Sequence, residues 1–313
     1  MTREKIKAPD CEVWTALATP FRNDASIDLA AWEKLLAMQV KGKVTGVVIA
    51  GSTGEGSTLS AQEKLSLVKK TKAILGNSLS IMASVGTSQT TQSVELARLC
   101  EEAGADSLLV VTPPYNKPSQ AGLKLHFSQI AGSVKIPVCL YHVPGRTGQK
   151  LSAEQLAELC KIPNVTMVKE ASADLCLFSE AAMLSDETYL SGDDFTYLPS
   201  LSVGGRGVIS VISNLFPEAL VRLGKLFVEG NHAEALALHR LLFPMNQVLY
   251  CESNPGPLKA ALHALGICDD YLRPPLARVT ESSRGKIVKT LEQVLGKEES
   301  LRETCAAGFP QGL

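Results

Sequence analysis

The feature that most narrows what this chain can fold into is an alternation. Short apolar, β-branched runs give way to longer runs with helical spacing, again and again up to about residue 213. The short runs are Val13 to Leu17, Val47 to Ala50, Ile81 to Val85, Leu108 to Val111, Val138 to Tyr141, Val165 to Lys169, Thr188 to Leu190 and Val208 to Val211. They are apolar almost throughout, as expected of strands buried on both faces of a parallel sheet. Between them lie helical stretches such as Leu29 to Val40, and two capping boxes, Ser60 to Glu63 and Ser152 to Gln155, announce helix starts. Leu65, Val68, Thr71 and Leu75 give the helix after Ser60 a single core-facing stripe. Eight such units without a long linker predict an α/β fold, a (β/α)8 TIM barrel. The competitor, an open doubly wound sheet, rarely uses so many evenly spaced units.

Beyond residue 214 the strand signals stop. Pro217 to Val228, Ala233 to Val248, Pro257 to Leu265 and Ser283 to Leu295 all read as helices. The expected organisation is therefore a catalytic barrel over 1–213, a helical region packed on it over 214–297, and a loose tail over 298–313.

Composition bears on partners. The net charge of −1 offers no electrostatic footing for nucleic acid or a membrane surface. No segment approaches the roughly 20 apolar residues that span a bilayer. The eight cysteines are scattered singly, with no Cys-x-x-Cys pair, which reads as reduced core residues of a cytoplasmic protein. The five histidines lack ligand spacing, so no metal is expected.

A barrel carries its chemistry at the C-terminal ends of its strands. The sixth run ends at Lys169-Glu170, and strand alternation puts Lys169 on the face of Val165 and Met167. If that face is the barrel interior, desolvation favours a neutral amine, the form that attacks a ketone. The bland alternative is a lysine leaning past the strand end to pair with Glu170 or another carboxylate; position alone leaves both open. The fifth run ends at Tyr141-His142-Val143-Pro144-Gly145-Arg146. A tyrosine beside the lysine can move protons during carbinolamine formation, although alone it would read as a core aromatic with its hydroxyl in solvent. His142, of opposite facing, reads as packing. Arg146 offers a planar fork for a carboxylate, or equally a surface ion pair of little worth. After the second run, Gly51-Ser52-Thr53-Gly54-Glu55 can converge N–H groups and two hydroxyls on a small anion, but is also what an ordinary turn looks like. It lacks the lysine of a Walker loop. After the fourth run, prolines stiffen Thr112-Pro113-Pro114-Tyr115-Asn116-Lys117-Pro118 and hold Tyr115 in place, as they would in any rigid surface turn.

Together these strand ends, with Ser191-Gly192-Asp193-Asp194 and Gly204-Gly205-Arg206-Gly207-Val208-Ile209-Ser210, resemble the dihydrodipicolinate synthase family, within the N-acetylneuraminate lyase superfamily of class I aldolases. The likeness runs over about residues 10 to 295. It implies a cofactor-free condensation of pyruvate with L-aspartate-4-semialdehyde, with no metal. Lys169 matches the Schiff-base lysine and Tyr141 the central proton donor and acceptor. Ser52 and Tyr115 match their partners in a hydroxyl relay, the latter contributed across a dimer interface. Thr53 matches the pyruvate carboxylate contact, Ile209 a main-chain contact to pyruvate, Arg146 the arginine that holds the aldehyde's carboxylate, and Gly192 a glycine near the mouth. The family is usually a homotetramer, a dimer of dimers.

Two departures stand out. The family usually has threonine at Ser52, and serine there is common among neuraminate lyases; the hydroxyl survives but is less sterically fixed. Arg146 points back to the synthases, because the lyases generally carry an apolar or small residue there. Lysine-inhibited relatives tend to have a histidine, an acidic residue and a tyrosine where this chain has Ala61, Gln92 and Pro114, so weak or absent feedback by lysine is expected. The rival readings are a neuraminate or 2-keto-3-deoxy-sugar-acid lyase using the same lysine, a keto-acid dehydratase or decarboxylase built on the same imine, and a barrel that senses small carboxylates without chemistry.

Overall fold

The computed structural model describes residues 11–297, so the loose tail expected over 298–313 lies outside the described residues. Eight parallel strands close into a barrel in sequence order. They are β1 (Glu12–Ala16), β2 (Gly46–Ile49), β3 (Ser80–Ser84), β4 (Ser107–Val111), β5 (Val138–His142), β6 (Val165–Glu170), β7 (Thr188–Ser191) and β8 (Gly207–Ser210). A helix follows each of the first seven strands on the way to the next, and four helices complete the chain: Pro217–Val228, His232–Val248, Gly256–Ala264 and Glu281–Lys297. The expected runs differ from the strands by about a residue at either end, because periodicity marks buried side chains whereas strand limits are set by ladder bonds.

Both expected capping boxes form. The Ser60 hydroxyl accepts the Glu63 N–H at 3.2 Å while the Glu63 carboxylate accepts the Ser60 N–H at 2.8 Å. Ser152 and Gln155 exchange the same pair of bonds. Each fixes where its helix leaves the barrel mouth.

The strands bury two distinct layers. Their outward residues, among them Val47, Ile81, Leu108, Val138, Val168 and Val208, join the helices in one continuous core. The inward residues form a separate cluster: Trp14, Ala16, Val48, Met82, Leu109, Cys139, Tyr141, Leu190 and Ile209, with Met167 against it. Packing here is tight enough to exclude a single methyl. A Cβ built on Gly46 would lie 2.4 Å from the Trp14 ring and 2.5 Å from the Ser80 carbonyl.

One strand breaks the simple alternation. On β5, Val138 and Cys139 are consecutive, whereas their partners on β6 are Val165 and Met167. Thr166 is thus an extra residue, a β-bulge, and it shifts the phase of everything after it. Val165 joins the outer core while Met167 packs inward. The expectation that Lys169 shares a face with both is therefore corrected: it holds for Met167 and fails for Val165.

The C-terminal helices are joined to the barrel mouth by a buried ion pair. Lys259, in Gly256–Ala264, bonds the Glu55 carboxylate in the loop after β2, and both side chains are fully buried. The Lys259 amine also donates to the Tyr271 carbonyl at 2.8 Å, and the other Glu55 oxygen accepts the Arg273 N–H at 3.0 Å. Removing one partner strands the other charge without water. Lys259→Met is therefore expected to lower unfolding stability by about 3–5 kcal/mol, read in urea as an earlier midpoint with an unchanged slope.

Candidate active site

Strand parity decides the site. Tyr141 and Lys169 are register partners on β5 and β6, and so are their neighbours His142 and Glu170. The first pair faces the barrel interior and the second faces outward. Lys169 and Tyr141 are each 6% exposed, and the lysine Nζ lies 4.3 Å from the centre of the tyrosine ring.

Glu170 is not the partner of Lys169. Its carboxylate bonds His142 Nδ1 at 3.1 Å and accepts the Ser172 N–H at 2.9 Å. His142 Nε2 in turn accepts the Leu151 N–H at 3.1 Å, which makes that ring the bridge between two elements. The reading of His142 as mere packing is corrected, and so is the reading of Lys169 as leaning out to a carboxylate. Among the described residues no acidic oxygen lies within ion-pair distance of the Lys169 amine.

A cavity opens above this amine, at the C-terminal ends of the strands. It is lined by Ser52, Thr53, Tyr141, Arg146, Lys169, Gly192 and Asp193, and by Tyr250 and Asn254 from the C-terminal region. Most of the expected site residues thus converge. Arg146 sits in the single-turn helix Pro144–Thr147 at the rim, with no ion-pair partner among the described residues. The alternative of a surface ion pair does not apply to it. Gly192 meets the end of β6 so closely that a Cβ would lie 2.4 Å from that of Ala171, so only glycine leaves the backbone in place.

Two expected residues lie elsewhere. Ile209 is fully buried in the interior cluster and is not part of the cavity lining. Tyr115 is 91% exposed and is not among the residues that line its own chain's cavity. Its loop is nevertheless fixed. Asn116 donates to the Ser88 carbonyl at 2.7 Å, Ser88 donates to the Pro114 carbonyl at 3.2 Å, and Tyr115 holds a φ of +71°. A non-glycine residue in the left-handed region costs about 1–2 kcal/mol, a cost that surrounding contacts sustain where the side chain must be aimed.

Three participants carried no local signal. Asn254 donates to the Thr53 hydroxyl at 3.0 Å across 201 residues of sequence. With a lone pair so occupied, the Thr53 O–H is free to donate into the cavity. Asp193 and Asp194 belong to a quoted motif, but nothing in it tells them apart. The structure does. Asp194 is fully buried, and one oxygen accepts the Val211 and Ile212 N–H groups at 3.0 Å each. Asp193 lines the cavity, and burial pushes its carboxyl up to about 6, against the pull of nearby Lys169.

The thiols stand apart from this site chemistry. Cys139 lies in the barrel wall, where burial pushes its thiol up to about 12. All seven cysteines among the described residues are free. Cys176 and Cys251 are exposed, which corrects the reading of all eight as core residues. Among the described residues no group of three or more His, Cys, Asp or Glu side chains is placed to hold a metal, and no helix is long and apolar enough to cross a membrane.

With a buried lysine, an adjacent tyrosine and a rim arginine around one cavity, comparison with known proteins becomes decisive. The profile of the Dihydrodipicolinate synthetase family matches residues 11–294. The chain belongs to that family. It is 42% identical to a 4-hydroxy-tetrahydrodipicolinate synthase of Methanococcoides burtonii, over 90% of this chain and 97% of that one. It is 39% identical to the enzyme of the same name from Magnetococcus marinus, over 92% and 99%. Among solved structures, the 4-hydroxy-tetrahydrodipicolinate synthase of Methylacidiphilum fumariolicum SolV superposes with a TM-score of 0.90 at 38% identity, covering 94% of this chain and 99% of that one.

The outward pair behind the site is expected to matter for folding. His142→Leu removes the partner of a buried carboxylate and of the buried Leu151 N–H together. The expected loss is about 2–4 kcal/mol, read from urea unfolding followed by circular dichroism.

Proposed function

We propose that this chain is a 4-hydroxy-tetrahydrodipicolinate synthase, condensing pyruvate with L-aspartate-4-semialdehyde through an imine on Lys169. The observation that carries the reading is the Lys169 amine, buried in the barrel wall against Tyr141 with no carboxylate among the described residues within ion-pair distance. An amine in that setting adds to the keto carbon of pyruvate, and loss of water gives an iminium that withdraws electrons from the methyl carbon. A proton leaves that carbon, and the resulting enamine attacks the aldehyde. That attack restores an iminium between Lys169 and the former keto carbon; the substrate's own amine adds to this carbon as the Lys169 nitrogen leaves it, which closes the ring and frees the enzyme.

Most polar groups of the cavity have a part in this scheme. Thr53, oriented by Asn254, donates to the pyruvate carboxylate. Tyr141 passes protons to and from the carbinolamine, with Ser52 as a relay partner. Arg146, free of ion pairs, holds the carboxylate of the aldehyde. The same arginine favours the short amino-acid aldehyde over the polyhydroxy chain of a sugar-acid lyase. Gly192 keeps the mouth of the site open, and the main chain at Ile209 contacts pyruvate from β8. Tyr115 joins the relay from a neighbouring subunit, since its fixed and exposed ring cannot serve the cavity of its own chain. The working form is accordingly at least a dimer, and a homotetramer built from two such dimers is the assembly we expect. Reduced, unpaired thiols fit a cytoplasmic setting.

The test is chemical. Incubation with pyruvate and borohydride is expected to add one reduced pyruvate per chain, mapped to the peptide bearing Lys169. Lys169→Ala should fold normally, gain no mass and lose turnover. Tyr141→Phe and Tyr115→Phe should each lower kcat by about 10²–10⁴-fold. A mass gain at another residue, or full activity in Lys169→Ala, would sink the reading.

Feedback is the second test. A groove beside the cavity is lined by Lys64, Ser88 and Pro114, and Glu55, its single acidic lining residue among those described, is occupied by Lys259. No free carboxylate lines it, and its one aromatic lining residue among those described is Tyr141, which the reaction itself uses, so the amines of an amino-acid effector find no dedicated partner there. L-lysine is therefore expected to leave initial rates unchanged at sub-millimolar concentration; a sub-millimolar inhibition constant would contradict this.

A further inference from the structure

The cavity contains one anionic side chain that the scheme above leaves unused. Asp193 follows β7, Lys169 is on β6, and Arg146 follows β5, so an anion and a cation flank the reactive amine on adjacent strands. The backbone at Asp193 is held firmly. The Ser191 hydroxyl donates to its carbonyl at 2.8 Å, and the Thr196 N–H and hydroxyl donate to the same carbonyl at 3.2 Å each. The Asp193 carboxylate, by contrast, has no hydrogen-bond or ion-pair partner among the described residues.

Its neighbour shows that this is not the ordinary fate of a carboxylate here. Asp194 is consumed in holding the Val211 and Ile212 N–H groups and so fixes the turn after β8. Asp193 is half-buried and aimed at the cavity. Burial raises its carboxyl to about 6, with Lys169 and Arg146 pulling the other way, so at neutral pH it remains an anion. A partly desolvated carboxylate left without a donor is costly unless a cation arrives with the substrate.

We propose that Asp193 is a specificity-determining residue that binds the α-ammonium group of the amino-acid aldehyde, opposite the Arg146 contact to its carboxylate. This rests on the reading of Lys169 and Arg146 given above. The aldehyde carries its ammonium and carboxylate on one stereocentre, with the reacting carbon one methylene away. Arg146, Asp193 and the enamine on Lys169 then make three contacts around that centre, which is the minimum that distinguishes L from D. Asp193 also disfavours aldehydes that lack the amine, because its charge would be left unpaired in their complexes.

Asp193→Asn, which keeps the shape and removes the charge, separates this role from its rivals. With the variant, borohydride trapping of the pyruvate imine should match wild type. The kcat/KM for L-aspartate-4-semialdehyde should fall about ten- to hundredfold, the range for losing one charged hydrogen bond, mostly as a rise in KM. The rate of covalent adduct formation between the pyruvate-loaded enzyme and 4-oxobutanoate, the same aldehyde without its amine, should change by less than about twofold. Discrimination between the L and D aldehydes should narrow. Equal losses with both aldehydes would mean that Asp193 acts on Lys169 or on the fold, and no loss with either would mean that it binds nothing; both outcomes overturn the proposal. Failure of wild type to trap pyruvate would instead strike the aldolase reading itself.

Discussion

The site depends on which way two consecutive side chains of β6 point. Lys169 and Glu170 carry opposite charges on adjacent residues, and in water they would simply be solvated side by side. A strand sends them to opposite faces. The ladder to β5 then locks the choice, since Tyr141 pairs with Lys169 and His142 with Glu170. The carboxylate is taken up by His142 and the Ser172 N–H outside the barrel, and the amine is left inside it without a bonded carboxylate. A slip of one residue would exchange them and put the carboxylate where the buried amine stands. The bulge at Thr166 belongs to the same device. It allows β6 to begin with Val165 in the outer core and still deliver Lys169 inward four residues later. Bulges next to reactive residues commonly re-aim a side chain in this way.

The C-terminal helices complete what the barrel begins. Tyr250 and Asn254 reach the cavity from the segment between His232–Val248 and Gly256–Ala264. Lys259, one helical turn further on, holds Glu55 in the loop that also presents Ser52 and Thr53. A buried ion pair is a poor source of net stability, because desolvation consumes most of its attraction. What it does secure is position, since neither charge tolerates the loss of the other. The loop after β2 and the helices that follow the barrel are thus constrained to move as one body, and Asn254 stays within reach of Thr53.

Much of this was legible in the sequence because it is local. Apolar runs and capping boxes report the face and the start of an element within a few residues, so the eight strands, their order and the helices emerged within a residue or two. Lys169, Tyr141 and Arg146 could be singled out because a barrel puts its chemistry at strand ends, and strand ends can be counted; the structure brings all three to one cavity. What stayed hidden was long-range or out of phase. Thr166 looks like any β-branched strand residue, and only its register against β5 exposes the bulge. Asn254 lies in a turn with no apolar periodicity, and its partner is 201 residues away. Asp193 and Asp194 are chemically identical neighbours, and their division of labour is set by β8, which neither adjoins in sequence. His142 read as packing because burial and hydrogen bonding leave the same local pattern.

Charge balance in the cavity ties the parts together. Pyruvate brings one negative charge, and formation of the imine creates one positive charge close to it, so the first half of the reaction neutralises itself within the barrel wall. What remains is the rim, with a cation at Arg146 on one side and an anion at Asp193 on the other. A second substrate that carried only a carboxylate would satisfy the arginine and leave the aspartate exposed to a drier environment than before. A zwitterion satisfies both, and its own neutrality leaves the electrostatics of the iminium unchanged. In the proposed scheme the ammonium must later lose a proton before its nitrogen can displace Lys169, and burial raises the proton affinity of Asp193, the carboxylate proposed to hold that ammonium. On this view the residue that selects the amine also stands next to the last bond-making step, so recognition of the second substrate and release of the product draw on the same group.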